Sequence, residues 1–470
     1  MTIWTPELGA SESDAKPIPR YRQIAESIGK AIETGELGPG DRLPPQRQLA
    51  DRLNVTVGTI TRAYNEAHHL GWVQSRVGSG TYVCDQNSST ASAFSMQPRE
   101  CSDGVIDMSL SFAPPHPWRQ QCLGEVLASI ASDPATVAEV CEYQADIGTP
   151  HHRRALAAWL DSLSFPVFGS LVVTQGGQHG IDLCLRILTR PGELVAADAL
   201  TYPGFNSAAR HAHLKTLGIP LDEYGMDIAA LERLCQRQVP SLVYVTPDQN
   251  NPTGVQLTEE RRIQLAELAR RHNFWIVEDS VQYVPSADRG TSMAHLAPER
   301  TLHIFSTSKL LSGGLRVGTL QVPDVLRERL GSALRAQSWM VPPLMVESAC
   351  RWIASPRAQQ LHDWQIEELQ FRQELAQHRL AAYHPRGLTR GSNLWLPLPE
   401  GRRASEVHAL LDQAGVRVAT PEPFCTGSEP APQALRLCVG SPDSRDALER
   451  ALNIILEVLE DEGTSPWSTL

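Results

Sequence analysis

The chain has 470 residues, 41% of them hydrophobic and 20% charged, and a formal net charge of −11. This composition describes a globular chain of two or three domains and excludes disordered and fibrous classes. No run of about 18 apolar residues occurs, which excludes a spanning helix and argues against a membrane partner. Nine scattered cysteines without a Cys-x-x-Cys pair argue against a disulfide framework and against a zinc site.

Charge is divided unevenly. Residues 1–84 hold nine basic and nine acidic side chains, so the remainder, 33 against 44, carries the whole −11. A small head is thus free of the acidity that would repel nucleic acid. The opening residues, MTIWTPELGASESD, lack the basic-then-apolar layout of a secretion signal, and a cytoplasmic protein is expected.

Residues 17–84 read as a unit of short helices closed by a hairpin. Leu49 and Leu53 share one face of a first helical segment. Thr56 is placed to cap a second, in which Ile60, Ala63, Tyr64 and Ala67 recur at i, i+3, i+4 and i+7. Its opposite face offers Thr59, Thr61, Arg62 and Asn65. Two helices so joined form a helix-turn-helix. GWVQSRVGSGTYV then reads as two strands around Gly78, Ser79 and Gly80, a wing carrying Arg76. On pattern alone the unit suits DNA binding or protein docking equally. Residues 85–104, rich in Ser, Thr, Gln and Asn, read as a linker.

From 105 to 460 short apolar runs alternate with helical patterns. Strands are expected at Leu171 to Thr174, LVAAD (194–198), SLVYVTP (241–247), FWIVED (274–279) and TLHIFSTS (301–308). The alternation predicts βαβ units on a mostly parallel sheet, with ligands gathered at the carboxyl ends of the strands.

Lysine is scarce: Lys16, Lys30, Lys215 and Lys309 are the whole set. Chemistry that needs a primary amine therefore has few candidates. Lys309 follows an apolar strand and is flanked by Ser306, Ser308, Gly313 and Gly314, with Arg316 seven residues on. Such a segment offers an imine-forming amine together with hydroxyls and a cation for phosphate. A surface lysine in a Ser/Gly loop is the plainer alternative. Gly176, Gly177 and Gln178 end a strand and open a helix, where an anion meets free N–H groups. Asp279 ends FWIVED, where a carboxylate either holds a heterocyclic nitrogen protonated or caps a helix. Asn251 stands in an NNPTG turn. Arg436 lies in the apolar run ALRLCVG and needs an anionic partner if buried.

The stretch from YRQIAESIGK to GSGTYV resembles the winged helix-turn-helix of GntR-type transcriptional regulators. Shared features are G-x-L-x-P-G-x-x-L-P, the T-x-x-x-A-Y helix and the R-x-G-x-G-T-Y-V wing. The resemblance implies DNA contacts from Arg47, Thr59, Arg62, Arg76 and Gly78. Val57 and Gly58 stand where the family often has an Arg, a departure at the base-reading positions.

Residues 105–460 resemble fold-type-I aminotransferases that use pyridoxal phosphate. YQADIGTPHHRRALAAWL, TQGGQHGIDL, TYPG, NNPTG, VEDS, STSKLLSGGLRVG and LRL match in order. The resemblance implies that Lys309 forms an aldimine with the cofactor, Asp279 pairs with the ring nitrogen, Asn251 bonds the ring oxygen and Tyr202 lies against the ring. Gly177, Gln178, Ser306, Ser308 and Arg316 would hold the phosphate, with Tyr143 reaching it from a second subunit. Arg436 would take an α-carboxylate. The family usually places a Tyr two or three residues after the Asp, where this chain has Val281 and Gln282.

A GntR-type head on an aminotransferase-like body is the arrangement of the MocR group of transcriptional regulators. The resemblance implies a head-to-tail homodimer on a double-stranded operator that senses pyridoxal phosphate or a small amino compound through Lys309. A working aminotransferase with a fused DNA-binding head is the competing expectation.

Overall fold

A computed structural model describes Trp4 and residues 19–461, apart from 39, 70–71, 77–79, 84–103 and 428–429. The chain divides into two units, Met1–Ala93 and Phe94–Leu470. The stretch expected as a linker, 85–104, lies outside the described residues but for Gly104, and so do Gly78 and the side chain of Arg76.

In the head, helices α1 (Arg20–Glu33), α2 (Gln46–Arg52) and α3 (Val57–His69) precede an antiparallel pair, β1 (Val73–Arg76) and β2 (Gly80–Val83). The periodic apolar residues do the folding. Ile24 and Ile28 of α1, Leu49 of α2 and Ile60, Ala63, Tyr64 and Ala67 of α3 meet in one buried cluster with Val73 and Val83. Thr56 caps α3, its hydroxyl accepting the Thr59 N–H at 3.2 Å. The buried Tyr64 hydroxyl donates to the Pro44 carbonyl at 2.8 Å, so this donor is satisfied inside a small core.

The large unit is built on a seven-stranded sheet. Its strands are β3 (Ser170–Thr174), β4 (Leu194–Asp198), β5 (Lys215–Ile219), β6 (Leu242–Val245), β7 (Trp275–Asp279), β8 (Thr301–Ser306) and β9 (Gly318–Val322), in the spatial order β3-β9-β8-β7-β6-β4-β5. All pairings are parallel except those of β9, which runs against both neighbours. Alternate residues feed the two faces: Leu242, Tyr244 and Val277 enter one buried cluster, whereas Val243, Val245 and Ile276 enter another. Burial on both sides explains why these strands read as unbroken apolar runs. Full burial of each such side chain stabilises by about 1.5–3 kcal/mol.

The reversed strand matters for the site. Gly318, the first residue of β9, is level with Thr174 at the end of β3 and Ser306 at the end of β8. Chain entering β9 therefore meets the rim where its neighbours end. A C-terminal lobe adds the antiparallel pair β10 (Asn393–Pro397) and β11 (Ala434–Cys438), with Trp395 opposite Arg436. Ile106–Asp107 pairs with Val416–Arg417 and ties the start of the unit to that lobe. Among the described residues no helix is long and apolar enough to cross a membrane.

Candidate functional site

The rim of the large sheet collects most of the singled-out residues from separate segments. Asp279 ends β7, Ser306 ends β8, and Lys309 lies three residues beyond. Helix α4 (Gly177–Leu188) begins just past β3. Its N-cap, Gly176, has φ +80, and a Cβ there would lie 2.6 Å from Arg316 Nη2. Glycine thus supplies the backbone conformation and lets the guanidinium close on the helix terminus. Arg316 Nη2 donates to the Gln175 carbonyl at 3.2 Å and Nη1 to the Ser308 hydroxyl at 3.3 Å.

First-turn N–H groups of Gly177 and Gln178 have no intrahelical acceptor. With Ser308 and Arg316 they make a donor set that suits a phosphate dianion. Ser306 lies a layer deeper: it is buried, donates to the Val317 carbonyl at 3.2 Å and accepts the Ser308 N–H at 3.2 Å. Gln178 donates to the Gly204 carbonyl at 2.9 Å. A Cβ on Gly204 would strike Gln178 Oε1 and the Tyr202 ring, so that glycine makes room for both.

Lys309 is half-buried and donates to the Ser111 carbonyl. Burial, reinforced by the nearby Arg436 and Arg316 and opposed by Cys438 and Asp279, lowers its pKa to about 8. Buried Asp279 accepts from the Tyr244 hydroxyl at 2.6 Å and from the Val281 N–H at 2.9 Å. Burial raises the Asp279 pKa, and those two donors together with Lys309 oppose the shift. A carboxylate so placed is able to pair with a cationic group. Tyr202, half-buried at the start of helix Pro203–His211, has its phenol pKa raised by burial and by Asp279.

The two asparagines of the NNPTG turn separate by role. Asn250 donates to Asp198 and to the Leu200 carbonyl, both at 3.0 Å, and builds the turn. Asn251 is buried and accepts from Arg436 Nη1 at 3.1 Å. Arg436 itself is 5% exposed, donates to the Ser109 carbonyl and lies 4.9 Å from the Phe424 ring centroid. Its Nε is buried without a partner, and no carboxylate among the described residues forms an ion pair with it. A buried guanidinium with an open Nε can accept an anionic partner.

Tyr143 is not brought to this pocket within one chain. It is 82% exposed, beside Trp339 at 6.1 Å between ring centroids. Tyr283 also points elsewhere, packing against Phe165, Phe305 and His362 rather than toward Asn251. Sequence reasoning missed Tyr244 and Ser111. Tyr244 pairs with Val277 across the sheet, one diagonal step from Asp279, a neighbour that register alone creates. In the head, Arg47 and Arg62 are exposed and Thr59 half-buried, its hydroxyl 2.9 Å from that of Thr56.

Comparison with known proteins divides the chain in the same manner. Residues 117–455 match the aminotransferase class I and II family, and residues 20–83 match the gntR family of bacterial regulatory proteins. The uncharacterized HTH-type transcriptional regulator YdeF of Bacillus subtilis is 27% identical over 97% of each chain. The probable rhizopine catabolism regulatory protein MocR of Rhizobium meliloti is 25% identical over 71% of each. Among solved structures, a kynurenine aminotransferase of Pyrococcus horikoshii superposes with a TM-score of 0.70 at 21% identity. It covers 77% of this chain and 93% of its own, a likeness of fold.

Proposed function

The chain belongs to the aminotransferase class I and II family and is a transcriptional regulator that joins a GntR head to an aminotransferase-like body; from that premise we propose that its rim pocket holds pyridoxal phosphate and senses an amino acid. The observation that carries this reading is that separate segments bring Lys309, Asp279, Ser308, Arg316, Asn251 and Arg436 to one rim, with Arg316 closed on the N-terminus of α4 and Arg436 bonded to Asn251. When bound, the cofactor supplies an aldehyde that condenses with primary amines and an electron-withdrawing ring.

Each side chain then has a defined task. With burial lowering its pKa to about 8, Lys309 has a larger neutral, nucleophilic fraction near neutral pH than an exposed lysine. Asp279 keeps a proton on the ring nitrogen, and Tyr244 keeps Asp279 ionised. Asn251 donates to the ring oxygen while Tyr202 bounds one ring face. Gly177, Gln178, Ser308 and Arg316 hold the phosphate, with Ser306 orienting Ser308. Arg436 receives the carboxylate of the amino acid. We read exposed Tyr143 as completing this phosphate site in the second subunit of a head-to-tail homodimer.

In the head, Arg47 and Arg62 hold phosphates of a double-stranded operator and Thr59 faces the groove; Arg76 and Gly78 complete the contact from the wing. Ligand occupancy shifts the heads only through differential affinity for two arrangements of the body.

A second reading, a working aminotransferase, is favoured by the intact set Lys309, Asp279, Asn251 and Arg436. Absence of a phenol at Val281 and Gln282 leaves the ring oxygen with Asn251 alone, which favours sensing over rapid turnover. Titration with pyridoxal phosphate, borohydride reduction and peptide mapping test the pocket. The expected label is on Lys309; a label elsewhere, or none, defeats the reading. Steady turnover of an amino donor and a keto acid at ordinary enzyme rates favours the second reading instead.

A further inference from the structure

Two backbone carbonyls already hold the pocket's cations. Ser111 accepts from Lys309 Nζ, and Ser109 accepts from Arg436 Nη2. Both belong to a strap at the start of the large unit. Up to Met108 the strap is anchored by backbone pairing: Ile106 and Met108 donate to Gly415 and Arg417 at 2.8 Å, and Cys438 donates to Met108 at 2.9 Å. Beyond Met108 it is held mainly by side chains. Gln282 Nε2 donates to the Ser111 hydroxyl at 3.0 Å, and the Ser392 hydroxyl donates to Gln282 Oε1 at 3.0 Å. Ser441 adds a hydroxyl bond to the Leu110 carbonyl.

Gln282 is therefore a junction. It sits three residues after Asp279, which the Val281 N–H ties to the same turn, and it joins that turn to the strap and, through Ser392, to the edge of β10. A neutral carbonyl is a weaker partner for a guanidinium than a carboxylate is, since charge-assisted hydrogen bonds are roughly twice as strong. A carboxylate reaching Arg436, whose Nε has no partner, would compete with the Ser109 carbonyl for the guanidinium, whereas an amine without a carboxylate would not.

We propose that residues 109–112 are an internal stand-in for the ligand, displaced by amines that bear a carboxylate and held in place by Gln282 and Ser392. This rests on the pocket reading given above. The switch thereby answers amino acids and ignores simple amines that condense with the same aldehyde.

Hydrogen exchange of the peptide 105–116, measured in the full chain, tests this. Without any ligand, Gln282→Ala with Ser392→Ala should raise exchange there about tenfold, and Ser392→Ala alone should do so less if the double variant folds poorly. With pyridoxal phosphate present, L-alanine should raise wild-type exchange and ethylamine should not. The double variant should bind L-alanine several-fold more tightly, a gain that simple destabilisation does not produce. Exchange indifferent to both the variants and L-alanine, or ethylamine matching L-alanine, overturns the proposal. A wild-type protein that never develops cofactor absorbance defeats the pocket reading alone, because the comparison of variants requires no ligand.

Discussion

Arg62 of the head and Arg436 of the body carry the same guanidinium in opposite surroundings. Arg62 stands exposed on α3, over a core that uses the other face of the helix. Arg436 is 5% exposed in β11, its neighbours a backbone carbonyl, an amide and the Phe424 ring. Water screens the first, so its attraction to phosphate is modest and further weakened by salt. Desolvation governs the second, so it responds to whichever anion fits and to little else. One protein thus holds a salt-sensitive surface and a ligand-sensitive interior, and substitutions can address each separately.

The largest separation is expected from Lys309→Ala. Cofactor absorbance should vanish and borohydride should fix no pyridoxyl label, because the body's other lysine, Lys215, begins the edge strand β5, at the end of the sheet away from the rim. DNA affinity should stay within about twofold, as titration of labelled operator against protein would show. Complete loss of DNA binding in this variant breaks the division into two independent chemistries.

Next in size is Arg47→Ala with Arg62→Ala. Loss of two phosphate contacts should weaken DNA binding by roughly a hundredfold at low salt and flatten the log–log salt slope by about two. Cofactor uptake should be unchanged. A slope that does not move places the phosphate contacts elsewhere on the head.

How much of this was legible in the sequence follows from the same contrast. α3 could be read because its core face repeats at helical spacing and its polar face faces water. LVAAD was read as a strand with the same limits the structure gives, since a strand buried on both faces is an unbroken apolar run. β9 was not read. Its buried Gln321 interrupts the run, and only the fold shows that His303 and the Pro166 carbonyl satisfy it. Ser109 and Ser111 were invisible for a different reason: their contribution is made by backbone carbonyls, which every residue has. Scarcity of lysine does what periodicity cannot: among four lysines, only Lys309 follows an apolar strand and has two serines, a Gly-Gly pair and an Arg seven residues on.

A smaller effect, and one confined to the body, is pH dependence of cofactor uptake. Only the neutral amine attacks an aldehyde, and below its pKa the neutral fraction falls tenfold per pH unit. With burial lowering Lys309 from 10.5 to about 8, the uptake rate should climb with pH and level off near 8. A rate still climbing past pH 9.5 means that the amine is solvated like a surface lysine, which erases the contrast with the head.

The finest test contrasts two tyrosines inside the body. Tyr244→Phe and Tyr283→Phe each delete one hydroxyl from a largely buried ring and leave the apolar packing in place; Phe205 still stacks on residue 244 at 4.3 Å. They differ in what the hydroxyl touches. Tyr244 donates to Asp279 at 2.6 Å and favours its ionised form against a burial that raises its pKa. Without it the carboxylate keeps the Val281 N–H alone and pairs less well with a ring cation. A hydrogen bond to a charged group contributes about 1.5–3 kcal/mol, so pyridoxal phosphate affinity should fall roughly tenfold or more, with the absorbance maximum shifted. The Tyr283 ring packs among Phe165, Phe305 and His362, and its variant should change affinity less than about twofold. Equal losses from the two would mean that general packing, not the Tyr244–Asp279 bond, sets the cofactor's hold, and the role assigned to Asp279 would have no support of its own.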